Sequence, residues 1–339
     1  QLTIAGLGDS VSVNLGLNRT AVLWSGLMIV SLITSLVVVT VGSIPFIGLV
    51  VPNIVSRLMG DKLRASLPAV ALMGASLVLA CASGAGLAAV YNVPFAATVF
   101  VLETLLLTWS LPAAAAALLT CGLTVWVARL GLGDVVQYSH LPVDIPSSTG
   151  PSLLIWSAAA GGLLAAAVWA FEQCQSRLPK FNPRRWTMLP VALLCFAAIG
   201  ALSIPFPEIL GNGKAGNELS FSHQLTVQAA FGLLAAKWLA VLLAGMAGAY
   251  GGRITPSMML GGLTAFIGAW CWNLVFPPVP LGLAAFIGAA VFLGLAQNMA
   301  LTSLVFLLEL SHQSTAVWLP MCLCMATALT VRQTVFSRQ

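Results

Sequence analysis

Apolar residues run along the chain in long blocks, at 21–42, 66–82, 95–128, 152–171, 187–205, 225–249, 256–276, 281–310 and 315–331. About 20 residues is the length at which an α-helix crosses the hydrocarbon of a bilayer. A membrane β-barrel would show apolar and polar positions in alternation, and these blocks do not. The pattern predicts an all-α, polytopic membrane protein with broken, re-entrant helices. Residues 42–52, GSIPFIGLVVP, hold two prolines and two glycines and predict helix pieces rather than one straight span. Block 95–128 is long enough for two crossings divided at Pro112. A basic polar loop is expected at 53–68.

The stretch GAGLAAVYNVPFAATVFVLE (84–103) breaks an apolar run and ends on a carboxylate. Pro94 disfavours helix at the residue before it, and Asn92 is suited to cap the next helix. Gly84 and Gly86 allow a neighbouring helix to come close. The stretch therefore predicts a short packed helix, GAGLAAVYN, then a second one starting at VPFAATVFVLE; a proline-kinked span with no role is the plainer alternative. Glu103 is a costly residue inside an apolar run. It faces a cavity or partner, or it sits at a helix end near the interface. Lys237 raises the same choice: it pairs with a carboxylate such as Glu309, or it snorkels. The segments NVPFAATVFVLE and NMALTSLVFLLE place Glu103 and Glu309 in equivalent contexts, an internal repeat of the kind found in transporter folds.

The best anion chemistry lies at Gly248-Ala-Tyr-Gly-Gly-Arg-Ile-Thr-Pro256. Glycines let the backbone turn, and Pro256 suits the first turn of a helix. Free N–H groups and the positive helix end then favour an anion. Arg253 adds positive potential there or snorkels to the interface.

Composition supports the membrane reading. Of 339 residues, 59% are hydrophobic and 7% are charged, against roughly 25% charged in soluble domains. The net charge of +5 is concentrated in short loops, so nucleic-acid binding is not expected. Arg57, Lys62 and Arg64, and Arg177, Lys180, Arg184 and Arg185, place two loops in the cytoplasm, whereas 131–150 carries acids only and suits the outer face. The seven cysteines read as small buried hydrophobes. His140, His223 and His312 share no ligand spacing, and there is no P-loop or nucleophile motif. No enzyme activity, metal or cofactor is expected. Gln1 to Arg19 does not resemble a cleavable signal peptide.

Two family resemblances emerge from longer motifs. Residues 42–82, GSIPFIGLVVPNIVSRLMGDKLRASLPAVALMGASLVLACA, with LGDSVSVNLGLNRT before them, resemble the permease subunits of iron–siderophore ABC importers. That resemblance implies an ATPase-coupling loop at Pro52, Arg57, Gly60, Asp61 and Arg64, and an ATPase subunit as partner. From residue 83 onward the chain resembles the CLC family of chloride channels and chloride–proton antiporters. The stretches that carry this are GAGLAAVYNVPFAATVFVLE (84–103), FPEILGNGKAG (206–216), AGAYGGRITPSMMLGG (247–262) and FLGLAQNMALTSLVFLLEL (292–310), in the family's order. It implies chloride or a similar anion held at Gly252, Arg253, Ile254, Thr255 and Pro256, with the amides of Arg253 and Ile254 facing it. It also implies a homodimer built on 95–128 and 285–331, in the inner membrane of a bacterium.

The sequence departs from the CLC pattern in several places. The family's paired acids here read Glu103-Thr104. Its serine and gating-glutamate motifs fall where the permease-like stretch lies. Its late tyrosine is expected just after FSRQ, where the chain ends, and Tyr91, Tyr138 and Tyr250 sit in other contexts. The expected organisation is a permease-like segment at 1–82 and a CLC-like membrane domain at 83–339. The expected function is CLC-type anion movement that is weak and not tightly coupled to protons. The alternatives are a siderophore importer permease and a composite that transports nothing.

The charge asymmetry fixes an orientation that labelling can read. With Lys180→Cys and His140→Cys made singly in a cysteine-free background, an impermeant maleimide on intact cells should label position 140 and spare position 180. The reverse pattern would overturn the orientation.

Overall fold

The computed structural model describes residues 63–134, 137–138, 150–179, 188–222, 225–249, 252–311 and 317–336. Eleven α-helices are formed among them, and no strand. They are α1 Leu63–Tyr91, α2 Pro94–Phe100, α3 Leu111–Leu132, α4 Pro151–Ser176, α5 Met188–Ser203, α6 Lys214–Phe221, α7 Val227–Met246, α8 Ile254–Asn273, α9 Leu281–Ala296, α10 Ala300–Ser311 and α11 Trp318–Val331. π-helical turns extend α2 through Val101–Leu106 and α11 through Arg332–Phe336. The chain divides into two compact units, Gln1–Leu79 and Ala80–Gln339, and every site discussed below lies in the second.

Five helices among the described residues are long and apolar enough to cross a membrane: α3, α4, α7, α8 and α11 with its π turn. Others are too short. At 1.5 Å per residue the 12 residues of α10 rise about 18 Å, against roughly 30 Å of hydrocarbon. Such a helix ends inside the protein, and its terminal N–H and C=O groups need partners there.

The core sits around α9, which is apolar all round and buried at every position from Gly282 to Leu295. A helix with no polar face has to be enclosed by others, and α4, α6, α8, α10 and α11 enclose this one. Its closest neighbour is α8, and two glycines set that crossing. A Cβ at Gly288 would stand 2.6 Å from the Gly261 carbonyl oxygen, and one at Gly261 would meet the Gly288 carbonyl in return. Any side chain at either position would force the helices apart.

Several elements differ from the sequence expectation. The loop predicted at 53–68 is helical from Leu63 on, which puts Arg64 within α1, while Pro52, Arg57, Gly60 and Asp61 lie outside the described residues. GAGLAAVYN is not a separate short helix but the last turns of α1. Its glycines do not break the helix, because nothing but backbone entropy opposes glycine there. Gly84 does make a close approach, its missing Cβ facing Ala97 and Cys121, whereas Gly86 faces open space. Block 95–128 does divide, but not into two crossings: Leu107 turns into the left-handed region at φ 52°, α3 restarts with Pro112 in its first turn and Ser110 as its cap, and of the two pieces only α3 is long enough to cross a membrane. Of the seven cysteines, Cys174, Cys271 and Cys322 are exposed rather than buried.

Candidate anion site and its supporting caps

The break at Asn92–Pro94 forms as predicted, but Asn92 does not cap α2. The N-cap position is Val93, with no side-chain bond of its own. Asn92 instead closes α1. It takes the left-handed conformation at φ 61°, and the Val93 N–H reaches back to the Ala88 carbonyl at 3.2 Å, the closing bond of a Schellman turn. Asparagine tolerates that conformation better than most residues. With its backbone committed to the α1 terminus, its side chain points away from α2. The Oδ1 accepts from Arg129 Nε at 2.9 Å, and Nδ2 donates to Asp134 Oδ1 at 2.7 Å.

The opening N–H groups of α2 find their acceptors on another helix. Phe95 and Ala96 donate to the Glu309 carboxylate at 3.1 and 2.7 Å. Pro94 has no N–H, and Ala97 N–H already bonds the Val93 carbonyl at 3.1 Å. Every donor of the first turn is thereby accounted for. At the other end of the same pair the pattern is returned. Leu301 and Thr302 N–H donate to the Glu103 carboxylate at 3.0 and 2.7 Å, and the Thr302 hydroxyl adds a third bond at 2.6 Å. So α2 and α10 run side by side in opposite directions, each ending in the carboxylate that caps the other.

The repeat extends beyond the glutamates. Asn298 is left-handed at φ 53°, and Met299 N–H reaches the Gly294 carbonyl at 2.9 Å. Arg332 donates to Asn298 Oδ1 at 3.0 Å and to the Leu295 carbonyl at 2.5 Å, and it pairs with Glu172 at 2.9 Å. This matches Arg129, which bonds Asn92 and pairs with Asp134 at 3.3 Å. Sequence reasoning missed both arginines. Arg129 and Arg332 follow their asparagines by similar intervals, so carrying the repeat comparison past the glutamates would have found them.

Lys237 neither pairs with Glu309 nor snorkels. It is buried, and its ammonium donates to the carbonyls of Ile209 at 2.7 Å and Gly211 at 3.5 Å. The loop 207–213 turns through left-handed Gly211 and Gly213, which aims its carbonyls at α7. Those oxygens satisfy a cation where Glu309 is already occupied by α2.

The predicted anion motif forms the start of α8. Arg253 is the N-cap, Ile254 opens the helix, and Ser257 N–H makes the first internal bond to the Arg253 carbonyl at 3.1 Å. The N–H groups of Ile254 and Thr255 have no acceptor among the described residues, and Pro256 has no N–H to offer. Gly252 and Arg253 are exposed, Ile254 and Pro256 half-buried, and Thr255 buried. Arg253 makes no ion pair among the described residues, so its charge adds to the positive end of α8. A hydroxyl that sequence reasoning set aside also reaches this turn: Tyr91 Oη lies 3.1 Å from Thr255 Oγ1. The Tyr91 ring is fixed edge-on against Phe306 of α10, with centroids 5.2 Å apart. The site therefore brings together Ile254, Thr255, Arg253 and Tyr91, while Glu103 and Glu309 are engaged with α10 and α2.

A family model described as voltage gated chloride channel matches residues 15–333. The putative chloride channel protein ClcB-like of Ralstonia nicotianae is 26% identical over 287 residues, covering 82% of this chain and 64% of that protein. The voltage-gated ClC-type chloride channel ClcB of Salmonella typhi is 28% identical over 253 residues, covering 70% and 57%. Near the N-terminus the petrobactin import system permease protein YclN of Bacillus subtilis is 58% identical over 81 residues, covering 24% of this chain and 26% of that protein. Among solved structures, a slow cyanobacterial Cl⁻/H⁺ antiporter shares the fold with a TM-score of 0.63 at 19% identity, covering 75% of this chain and 61% of that one. The chain thus spans about a quarter of the permease's length and less than two thirds of the chloride-channel relatives'.

The reciprocal caps can be tested by removing one carboxylate at a time. Glu309→Ala or Glu103→Ala orphans at least two helix N–H groups and should cost roughly 2–4 kcal/mol, since hydrogen bonds to charged groups contribute about 1.5–3 kcal/mol each. Glu→Gln, which keeps one acceptor oxygen, should cost less. Melting followed by intrinsic fluorescence in detergent reads this, and unchanged transitions for both alanine variants would remove the structural role.

Proposed function

The chain belongs to the voltage gated chloride channel family, and from that premise we propose that it moves chloride, or an anion of similar size, passively across a bacterial inner membrane. It acts as a transport protein and not as an enzyme. The observation that carries this reading is the opening turn of α8, where two N–H groups without an acceptor among the described residues, the helix end and Arg253 offer positive potential, with no carboxylate paired to it among the described residues. Arg253, Ile254 and Thr255 are the anion-facing residues. Gly252 permits the turn, and Pro256 sets the helix start.

Lack of tight proton coupling follows from the use of the acids. Glu103 and Glu309 each hold N–H groups of the opposite helix. A carboxylate that already accepts two backbone N–H groups has to give up those bonds before it can serve another partner. Thr104, next to Glu103, has no acid to offer. Residues 1–82 remain a permease-like segment ahead of the CLC-like domain. The 58% identity to the siderophore permease supports a second reading, in which the segment engages an ATPase subunit through Pro52, Arg57, Gly60, Asp61 and Arg64.

Purified protein in chloride-loaded liposomes, clamped with valinomycin, should release chloride slowly, without ATP and without stoichiometric proton counter-flow. Stoichiometric proton movement would overturn the uncoupled reading. Absence of chloride flux under every condition would overturn the anion reading, and flux only with an added ATPase would favour the second one.

The assembly is a homodimer whose contact surface lies on α2, α3, α10 and α11. Their outward faces carry Phe95, Leu119, Trp126, Leu301 and Trp318, all exposed in the single chain. Cross-linking in mild detergent should trap a dimer. Monomer alone over a wide concentration range would remove this assembly.

A further inference from the structure

The two asparagine corners share a plan but are closed differently. At the second, Arg332 bonds the Leu295 carbonyl and Asn298 through Nη1 and Glu172 through Nη2, so the guanidinium itself closes the end of α9. At the first, Arg129 holds Asn92 through Nε and Asp134 through Nη2, and Nη1 takes part in neither contact. The helix-end carbonyl of Val90 is met by the Gln137 amide instead, at 3.1 Å. A cavity of about 170 Å³ is left between α1 and α3, with Ala89, Val90, Ala128, Arg129, Leu132 and Gln137 in its walls. Deeper along the same seam, Ala88, Cys121 and Val125 pack together and close it.

The place and the charges of this cavity point to its occupant. Helix α3 is long and apolar enough to cross a bilayer, so its last turn, Arg129 to Leu132, comes at the edge of the hydrocarbon. Val90 and Leu132 at the rim are 64% and 74% exposed, and in a membrane chain such apolar side chains face lipid. The charges around the cavity cancel: Arg129 pairs with Asp134 at 3.3 Å, and Lys214, on Gln137 Oε1 at 3.1 Å, lies 3.8 Å from Glu218. A neutral surround does not draw in a free anion from a distance. A cation and an acid side by side instead suit a headgroup that carries both signs. Guanidinium matches phosphate. Asp134 spends Oδ1 on Asn92 and Arg129, and its second oxygen suits an ammonium that has N–H to donate. At roughly 30 Å³ per water the volume equals about six waters, room for a phosphate but not for an acyl chain. We propose that the cavity seats the headgroup of a zwitterionic phospholipid with a primary amine, of the phosphatidylethanolamine class. Its phosphate lies on Arg129, its ammonium on Asp134, and its chains run along Val90 and Leu132. A lipid so placed gives the first corner the filling that Arg332 gives the second. The proposal is independent of the anion reading of α8.

Native mass spectrometry of the delipidated full chain in detergent, titrated with one lipid at a time, tests this. The parent should hold one phosphatidylethanolamine about tenfold more tightly than phosphatidylcholine or phosphatidylglycerol, the effect of one hydrogen bond between charged groups. Phosphatidylcholine keeps the phosphate and the positive charge but has no N–H for Asp134, and phosphatidylglycerol has no cation. Asp134→Asn should bring phosphatidylethanolamine down to the level of phosphatidylcholine. Ala128→Leu fills the cavity without touching the Arg129–Asn92 bond, and it should abolish the preference. Ala89→Leu fills the same space from α1 and serves where Ala128→Leu does not fold. Equal affinity of the parent for all three lipids would overturn the proposal, as would an unchanged preference in a folded cavity-filling variant. Displacement of the bound lipid by inorganic phosphate as readily as by phosphatidylethanolamine would assign the site to a free anion and overturn it too.

Discussion

A helix that stops within an apolar interior exposes N–H groups that water would otherwise satisfy, and leaving them unmade costs several kcal/mol in a medium without water. The structure meets that constraint with two carboxylates that serve each other's helices. Glu309 takes the first donors of α2, and Glu103 takes those of α10. The arrangement works only if the helices are antiparallel and of matched length, because each acid must arrive where the other helix begins. It also accounts for two charged residues in a chain that has few. At these positions the charge is stabilised by N–H groups and by the positive ends of two helices, so the usual penalty for an intramembrane acid is offset.

From that constraint the rest of the geometry follows. Each short helix is entered through a left-handed asparagine, since a two-residue corner leaves no room for a longer turn. Each asparagine is held by an arginine, and each arginine is balanced by an acid, Asp134 in one half and Glu172 in the other. The second corner is reached directly from the buried helix α9, which glycine contacts bring against α8. The first corner is preceded by Tyr91, whose hydroxyl meets Thr255 on α8 and whose ring meets Phe306 on α10. The corner, α10 and the start of α8 are therefore linked through Tyr91, the neighbour of Asn92.

Much of this was legible in the sequence because it depends on local chemistry. The apolar blocks predicted helices, Pro94 predicted a restart, and the glycine-rich run before Pro256 predicted a helix opening. The repeat of NVPFAATVFVLE as NMALTSLVFLLE marked Glu103 and Glu309 as equivalent. What the sequence did not disclose was which groups those acids meet, since the partners are some 200 residues distant and the contact is to backbone. Asn92 was misread for a related reason. Its preference for helix starts and its tolerance of left-handed helix ends are both local, and only the geometry of α1 decides between them. Lys237 found carbonyls rather than a carboxylate because glycine conformations in the loop 207–213, not side-chain charges, set where the acceptors point.

The division of labour among polar groups carries a functional argument. In an apolar chain each buried polar atom can serve structure or ligand, rarely both, because a group already bonded must lose that bond before it can serve another partner. The acids in the membrane interior are committed to helix ends, the arginines of the corners to asparagines, and Lys237 to its loop. The groups left uncommitted among the described residues at the site are donors: the N–H groups of Ile254 and Thr255 and the Arg253 guanidinium. A turn whose spare groups among the described residues are donors has a preference built into it. Such a helix opening suits a partner that accepts hydrogen bonds and carries negative charge.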